Sequence, residues 1–376
     1  MVVFSLLWVS CGKGNPSSSS VPPPPSVNPG GDQGGGEEED QGDDNTPKPW
    51  EANRGKVVRP TSGNGWTITT IEPGIIYYHF DGYDSVSGAN QWIYVTEIDL
   101  SRPDYAVKLG YYSNNSTASR VMSSTGAIAS INAGYEKAAL WLQLNGNTYS
   151  QISANTIGST GVPQWKSEAA VYLNQDQDVR IRFTGKGKTL SEWRTIYGYK
   201  ANTESNFITS APMLVDDYEP VGEDFCTLHP ASAYPDKDGK TDNSENPFNH
   251  QGSLTNPRTA MAQTAEGQVF FIVVDGRRGN SVARGISCAQ LTDFLVKYFN
   301  PQYAINLDGG GSSTMCVKGQ GDPTTHVVNY PCDNRSSASS TTIGGATVTT
   351  PKETNGPDHA GERGRDTFFY VVKKTN

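Results

Sequence analysis

The chain is organised around one stretch, residues 303–315, which reads YAINLDGGGSSTM. The apolar run Ala304–Leu307 predicts a short buried strand, and Asp308 follows at its C-terminal end. The three glycines Gly309–Gly311 let successive main-chain N–H groups turn towards one point, which is how a chain builds an anion-binding loop. Taken alone, the stretch favours a glycine-rich hairpin in which Asp308 caps a turn.

A second strand of the same kind lies upstream. Val269–Val274 is a continuous apolar run that leads into Asp275. Between the two runs, Ser287 and Gln290 form a capping-box pair ahead of a helical apolar pattern. The result is a strand–helix–strand unit, whose crossover most often leaves its strands parallel. Parallel strands would bring Asp275 and Asp308 to the same edge of a sheet, where open sheets bind ligands.

A third strand, Ala127–Ile131, ends in Asn132, so we expect three strand ends to face one cleft. The surrounding pattern predicts an α+β fold with a strand-rich mixed sheet, few helices and an active cleft at the C-terminal ends of the central strands. Trp193–Tyr199 is among the predicted strands. The Ser-, Thr- and Gly-rich residues 336–356 are predicted to form a flexible loop.

Four motifs in a fixed order resemble the phosphodiester glycosidases. They are INAGY at 131–135, PRTA at 257–260, VVDGR at 273–277 and NLDGGGSSTM at 306–315. The resemblance covers roughly residues 90 to 372. It implies a hydrolase that cleaves a sugar-1-phosphodiester and releases the free sugar and a phosphomonoester.

The resemblance also implies roles for individual residues. Asp275 and Asp308 would stabilise an oxocarbenium-like state and deliver water, while Asn132 would bind a sugar hydroxyl or orient that water. A guanidinium matches the forked acceptors of a phosphodiester best. The predicted substrate- and phosphate-binding residues are Arg258, Arg277, Gly309, Gly310, Gly311, Ser312, Ser313, Gly134 and Arg363.

Several features of this mechanism stay open. A carboxylate separation of roughly 6.5–9.5 Å would indicate an inverting enzyme and about 5–5.5 Å a retaining one. The sequence does not say which aspartate is the base or the nucleophile. An alternative function is a glycan-binding envelope lipoprotein of the same fold that has lost catalysis.

The N-terminal residues predict export. Residues 1–11 resemble a bacterial lipoprotein signal that ends at Cys11, the predicted lipidation site. Residues 12–49 are rich in Ser, Pro, Gly and acidic side chains and predict a disordered linker. Residues 50–376 form the predicted glycosidase-like domain, in which 50–110 could be an N-terminal extension. The expected location is the bacterial cell envelope, at the outer membrane or cell surface.

Four other cysteines allow three disulfide pairings. Cys316 and Cys332 are the pair we predict in an oxidising compartment, and four buried thiols are the alternative. The polar loop Tyr234–Pro257 fails the EF-hand spacing, since Thr241 stands where glycine is needed. The sequence therefore requires no cofactor, and leaves a divalent ion such as calcium open.

The charge distribution restricts the partners. A net charge of -9 without a basic stripe argues against nucleic acid. The predicted partner is a carbohydrate phosphodiester, with membrane contact only through a lipid anchor, and the chain is expected to be a monomer.

Overall fold

A computed structural model describes residues 48–152, 164–174, 178–184, 190–222, 254–333, 338–353 and 356–374. All of them belong to one unit, Pro47–Asn376. The predicted signal and linker, Cys11, Cys226 and most of the loop Tyr234–Pro257 lie outside the described residues. Among the described residues, no helix has the length and apolarity needed to cross a membrane.

An eight-stranded sheet forms the centre of the fold. In spatial order its strands are β1 (Trp66–Glu72), β2 (Ile75–Asp84), β3 (Ala89–Asp99), β14 (Gln268–Val274), β13 (Arg258–Gln263), β15 (Tyr303–Asn306), β11 (Met213–Asp216) and β12 (Glu219–Pro220). Residues 50–110, considered above as an extension, thus contribute three strands to the same sheet as the two aspartate-bearing strands.

Among the described residues, three smaller sheets and three α-helices surround it. The four-stranded sheet contains β16 (Met315–Val317), β5 (Ala129–Asn132), β19 (Arg365–Lys373) and β4 (Tyr105–Ser116). The five-stranded sheet contains β7 (Asn147–Ser150), β6 (Leu142–Leu144), β10 (Asn206–Ser210), β8 (Ala169–Leu173) and β9 (Val179–Phe183). A hairpin joins β17 (Ser339–Ile343) to β18 (Ala346–Thr350), and the helices are α1 (Ala118–Thr125), α2 (Leu190–Thr203) and α3 (Cys288–Tyr298).

The predicted strand–helix–strand unit is present, with one difference. Strands β14 and β15 are not neighbours, because β13 lies between them and pairs antiparallel with both. Two strands antiparallel to the same neighbour run in the same direction, so Asp275 and Asp308 do leave the sheet at the same edge. Helix α3 begins with the predicted capping box of Ser287 and Gln290. The α+β class is confirmed, although every pairing between named described strands is antiparallel.

The central sheet is buried on both faces, which explains why β14 is continuously apolar. Phe270 and Ile272 pack with Phe294 of α3 on one face. Phe271 and Val273 pack on the other face, against residues of the smaller sheets such as Ile131. Full burial of each such side chain contributes about 1.5–3 kcal/mol. The strand ends that carry the aspartates are therefore fixed between layers.

Two predicted segments differ from the structure. Trp193–Tyr199 is part of helix α2, because Trp193 and Tyr197 are one helical turn apart and pack into one buried cluster. Within residues 336–356, β17 and β18 form a hairpin instead of a flexible loop. Its turn residues Gly344 and Gly345 both have positive φ, 59° and 80°, as a two-residue hairpin turn requires.

Candidate active site

Asp275 follows β14 and accepts hydrogen bonds from three donors. The Tyr94 hydroxyl and the Tyr330 main-chain N–H donate to Oδ2 at 3.1 and 2.8 Å, and Asn329 Nδ2 donates to Oδ1 at 3.0 Å. The residue is 1% exposed. Burial raises the pKa of Asp275 to about 6, against the opposing effects of the Asn329 and Tyr330 donors and the nearby Arg278 charge. This carboxylate is enclosed and fixes the segment that contains Asn329 and Tyr330.

Asn329 connects Asp275 to the end of the glycine-rich stretch. Its Nδ2 also donates to the Ser313 carbonyl at 3.0 Å, and its Oδ1 accepts from the Met315 N–H at 2.9 Å. Asn329 is fully buried. Asn329 therefore connects the Asp275 carboxylate, through hydrogen bonds, to the loop that follows Asp308.

Asp308 has a different environment. Its Oδ2 lies 3.1 Å from Arg365 Nη2, yet this oxygen accepts no aligned hydrogen bond from any described residue. Burial raises the pKa of Asp308, and the Arg365 guanidinium is the largest opposing effect. The same Arg365 nitrogen donates to the Gly134 carbonyl at 3.2 Å, which fixes the guanidinium beside the carboxylate. Asp308 thus has acceptor capacity for a ligand hydroxyl or a water molecule.

Asn132, at the end of β5, joins the smaller sheet to the site. Its Nδ2 donates to the Asp308 carbonyl at 2.7 Å, and its Oδ1 accepts from the Thr259 hydroxyl at 2.9 Å and the Thr314 N–H at 3.0 Å. Asn132 is 1% exposed. All three predicted strand ends therefore meet, but this arrangement favours a positioning role for Asn132 over the predicted contact with substrate.

Two guanidinium groups lie against the glycine loop. A Cβ on Gly310, whose φ is +64°, would lie 3.2 Å from Arg277 Nη2. A Cβ on Gly311 would lie 2.5 Å from Arg363 Nη2 and 1.9 Å from Asp333 Oδ1. A side chain at Gly311 would therefore require the Asp333 and Arg363 side chains to move. We refer to Gly310, Gly311, Arg277 and Arg363 together as the candidate anion site.

The main-chain amides of this loop are less available than the sequence predicted. The Gly310 N–H donates to the Pro257 carbonyl at 2.8 Å. The Ser312 and Ser313 N–H groups donate to the carbonyls of Gly309 and Gly310, each at 3.3 Å. The residues Gly310–Ser312 accordingly form a 3-10 turn. Anion binding here would depend mainly on the two arginines and the serine hydroxyls.

Two of the predicted binding residues, Arg258 and Gly134, are enclosed by contacts within the protein. Arg258 is 2% exposed and donates through Nε to the Ile286 carbonyl and through Nη2 to the Leu254 carbonyl. Gly134 donates its N–H to Thr367 Oγ1, and a Cβ there would lie 2.6 Å from two packed aliphatic side chains. Substrate contacts by these residues stay predictions that this geometry does not favour.

The predicted disulfide between Cys316 and Cys332 is not formed. Cys316 is a fully buried thiol that packs with Val121, Val327 and other apolar side chains. Cys332 lies instead at the site, where Arg277 Nη1 is 3.6 Å from its sulfur. The two cysteines flank one loop in the sequence, but the strand β16 directs the Cys316 side chain into the core.

Sequence reasoning missed several residues around Asp308. The resemblance selected Arg363 as the arginine before the closing strand, whereas Arg365 in the same Arg-Gly-Arg segment is the one paired with Asp308. Glu136 follows the INAGY motif, is held by the buried Lys166 at 2.9 Å and raises the pKa of Asp308. The repeated arginine was a usable signal, but no pattern marks Glu136.

The described residues contain no group of three or more His, Cys, Asp or Glu side chains arranged to hold a metal ion.

The family model for phosphodiester glycosidases matches residues 125–344. This range includes β5, both aspartates and the glycine loop. The chain belongs to the phosphodiester glycosidase family.

Three relatives of this phosphodiester glycosidase family member are named N-acetylglucosamine-1-phosphodiester alpha-N-acetylglucosaminidase. The chain is similar to the Bos taurus protein, with 34% identity over 87 residues, which is 23% of this chain and 15% of that protein. For the Homo sapiens protein, identity is 33% over 82 residues, or 22% and 14% of the two chains. These matches therefore span about one seventh of the relatives' length.

The third relative is a solved structure. It is the zebrafish catalytic domain, described as auto-inhibited by its pro-peptide. It is 16% identical with a TM-score of 0.49, and the alignment covers 85% of this chain and 87% of that chain.

Proposed function

We propose that this chain hydrolyses a sugar-1-phosphodiester and releases the free sugar and a phosphomonoester. The observation that carries the proposal is the placement of Arg277 and Arg363 against Gly310 and Gly311, in the loop that directly follows Asp308. Family membership supports glycosidase-type hydrolysis, and the relatives' name supports N-acetylglucosamine as the first sugar to test.

The site residues have two tasks in this reaction: to bind the phosphate group and to promote cleavage at the anomeric carbon. Guanidinium groups bind the phosphate oxygens of a diester in charge-assisted hydrogen bonds. Phosphate is a good leaving group, so the main requirements are to stabilise positive charge at the anomeric carbon and to direct a water molecule. Asp308, with an ion-paired oxygen that accepts no aligned hydrogen bond from the described residues, suits those tasks.

Asp275 takes a different role in this proposal. Its two oxygens already accept three hydrogen bonds, and it is 1% exposed. We assign it to positioning, through Asn329 and the loop that ends at Met315. A carboxylate in this position keeps the loop geometry that places Asp308 and the two arginines together.

The test is release of free sugar from a panel of sugar-1-phosphate methyl diesters, beginning with N-acetylglucosamine, with and without chelator. Asp308→Asn should lower turnover by about 10²–10⁴-fold while diester binding changes little. Asp104→Asn is a matched control, because Asp104 is an exposed acid paired with Arg102. If folded wild-type protein binds a diester and releases no sugar, the glycan-binding alternative replaces this proposal.

A further inference from the structure

Asp333 lies beside the candidate anion site and forms a two-point ion pair with Arg363. Arg363 Nε donates to Oδ2 at 2.7 Å, and Nη2 donates to Oδ1 at 3.1 Å. The third nitrogen, Nη1, lies 3.4 Å from Ser312 Oγ. One edge of the guanidinium thus carries a carboxylate, while Nη1 is directed towards the glycine loop.

We infer that Asp333 makes this site select phosphodiesters over phosphomonoesters and promotes release of the monoester product. The inference rests on the proposed function, which makes this a phosphate site. A diester carries one negative charge, whereas a monoester has a second pKa of about 6 and carries roughly -1.5 to -2 at pH 7. The additional charge of a monoester would lie close to the Asp333 carboxylate.

The size of the effect follows from the geometry of one guanidinium. A phosphate oxygen on Nη1 and a carboxylate on the opposite edge would be about 5 Å apart. For a partly exposed site, their repulsion is calculated with an effective dielectric constant of about 40. The Arg363 and Asp333 side chains are 41% and 29% exposed, so salt screens the repulsion. Relative to a site with a neutral residue 333, one additional unit charge on the ligand then binds about tenfold more weakly at low salt.

Other groups also face Arg363. Asp308 and Cys332 raise the pKa of Arg363. Arg277 lies against the adjacent Gly310, and Arg365 pairs with Asp308. The same groups surround the site in two proteins that differ only at residue 333. Comparing the two proteins at one pH therefore separates the contribution of Asp333 from the titration of its neighbours.

The experiment is calorimetric titration of Asp308→Asn, in which the diester should not be turned over, and of the same protein carrying in addition Asp333→Asn or Asp104→Asn, with N-acetylglucosamine 1-phosphate and with its methyl diester. Asp104 is 54% exposed and adjoins the end of β4 that pairs with Lys373. Lys373 and Arg365 are opposite ends of β19, roughly 25 Å apart. Asp104→Asn therefore removes one negative charge far from the site.

At about pH 8, Asp333→Asn should tighten monoester binding about tenfold more than diester binding, and this difference should shrink at about pH 5, where the monoester is singly charged. Asp104→Asn should change the affinities for the two ligands equally. An equal change for both ligands in Asp333→Asn would overturn the inference, because it would mean that Asp333 acts only on Arg363.

The outcomes for the two proposals are separable. Binding with this charge preference but without sugar release supports the inference and removes the proposed hydrolysis. Hydrolysis by wild type together with an equal change in the two affinities on Asp333→Asn removes the inference alone. If neither ligand binds to folded protein, both proposals fail.

Discussion

Replacing Asn132 by alanine distinguishes a positioning residue from a substrate-binding one. The side chain makes three buried hydrogen bonds, to the Asp308 carbonyl, the Thr259 hydroxyl and the Thr314 N–H. Alanine leaves the carbonyl and the N–H without these partners, while the Thr259 hydroxyl can rotate to another acceptor. The substitution should therefore reduce both stability and turnover.

The magnitude follows from the two main-chain groups. A buried polar group without a partner costs about 1–3 kcal/mol, so two of them should lower the free energy of unfolding by about 4 kcal/mol. Domains are typically stable by about 5–15 kcal/mol, so the variant should still fold in mild buffer. Because the Asp308 backbone would shift, we expect turnover to fall by about 10²-fold.

The assay is urea unfolding combined with turnover of the preferred diester. Asn147→Ala is the control: this exposed asparagine donates one 3.4 Å hydrogen bond, to Asn145, and its loss should change stability by less than about 0.5 kcal/mol. If Asn132→Ala lost turnover but less than about 1 kcal/mol of stability, the positioning role would be wrong and the predicted substrate contact would be favoured.

Three further predictions concern the aspartates and the glycine loop. Because burial raises the pKa of Asp275 from 3.8 to about 6, the folded state binds this proton more tightly than the unfolded chain. Its contribution to stability is therefore complete below pH 4 and decreases by roughly 3 kcal/mol as pH rises to 7, measurable as the difference between wild type and Asp275→Asn in pH-dependent unfolding. Arg365→Met removes the largest effect that lowers the pKa of Asp308, so the acid limb of the pH–activity profile should move to higher pH, and an unchanged limb would exclude Asp308 as the titrating group. A methyl group in Gly311→Ala would lie 1.9 Å from the Asp333 carboxylate and displace the Asp333–Arg363 pair, so diester binding should weaken in calorimetry, whereas Gly198→Ala, whose nearest neighbour is 3.9 Å away, should leave it unchanged.

Local patterns predicted the elements that position the site. The apolar run of β14, the capping box of α3 and the Asp-Gly-Gly-Gly segment each depend on residues close together in the chain. The insertion of β13 between β14 and β15 was not predictable, because adjacent strands need not be joined by the intervening chain. Asp275 and Asp308 nevertheless leave the sheet at the same edge, because β13 is antiparallel to both β14 and β15.

Helix α2 and the β17–β18 hairpin, which were predicted wrongly, both have a local signal in the sequence. In α2, Trp193, Tyr197 and Ala201 recur at helical spacing, but their aromatic content favoured a strand. The hairpin turn at Gly344 and Gly345 is a two-glycine signal between Thr-rich segments. In the first case the residue spacing, and in the second the turn glycines, indicated the observed element, whereas the overall composition indicated a different one.

Two aspartates that look equivalent in the sequence differ in what surrounds them. Asp275 accepts hydrogen bonds from three fixed donors, which offset part of the cost of burying its ionised form and which no ligand needs to replace. Asp308 instead pairs with Arg365, receives a hydrogen bond from Ser312 and lies next to a loop contacted by two more guanidinium groups. An anion bound on that loop adds negative charge near Asp308, which raises the pKa of Asp308 further. The charge of the ligand is thus coupled to the protonation of Asp308 and far less to that of Asp275, which is the physical reason to place the chemistry at the glycine loop.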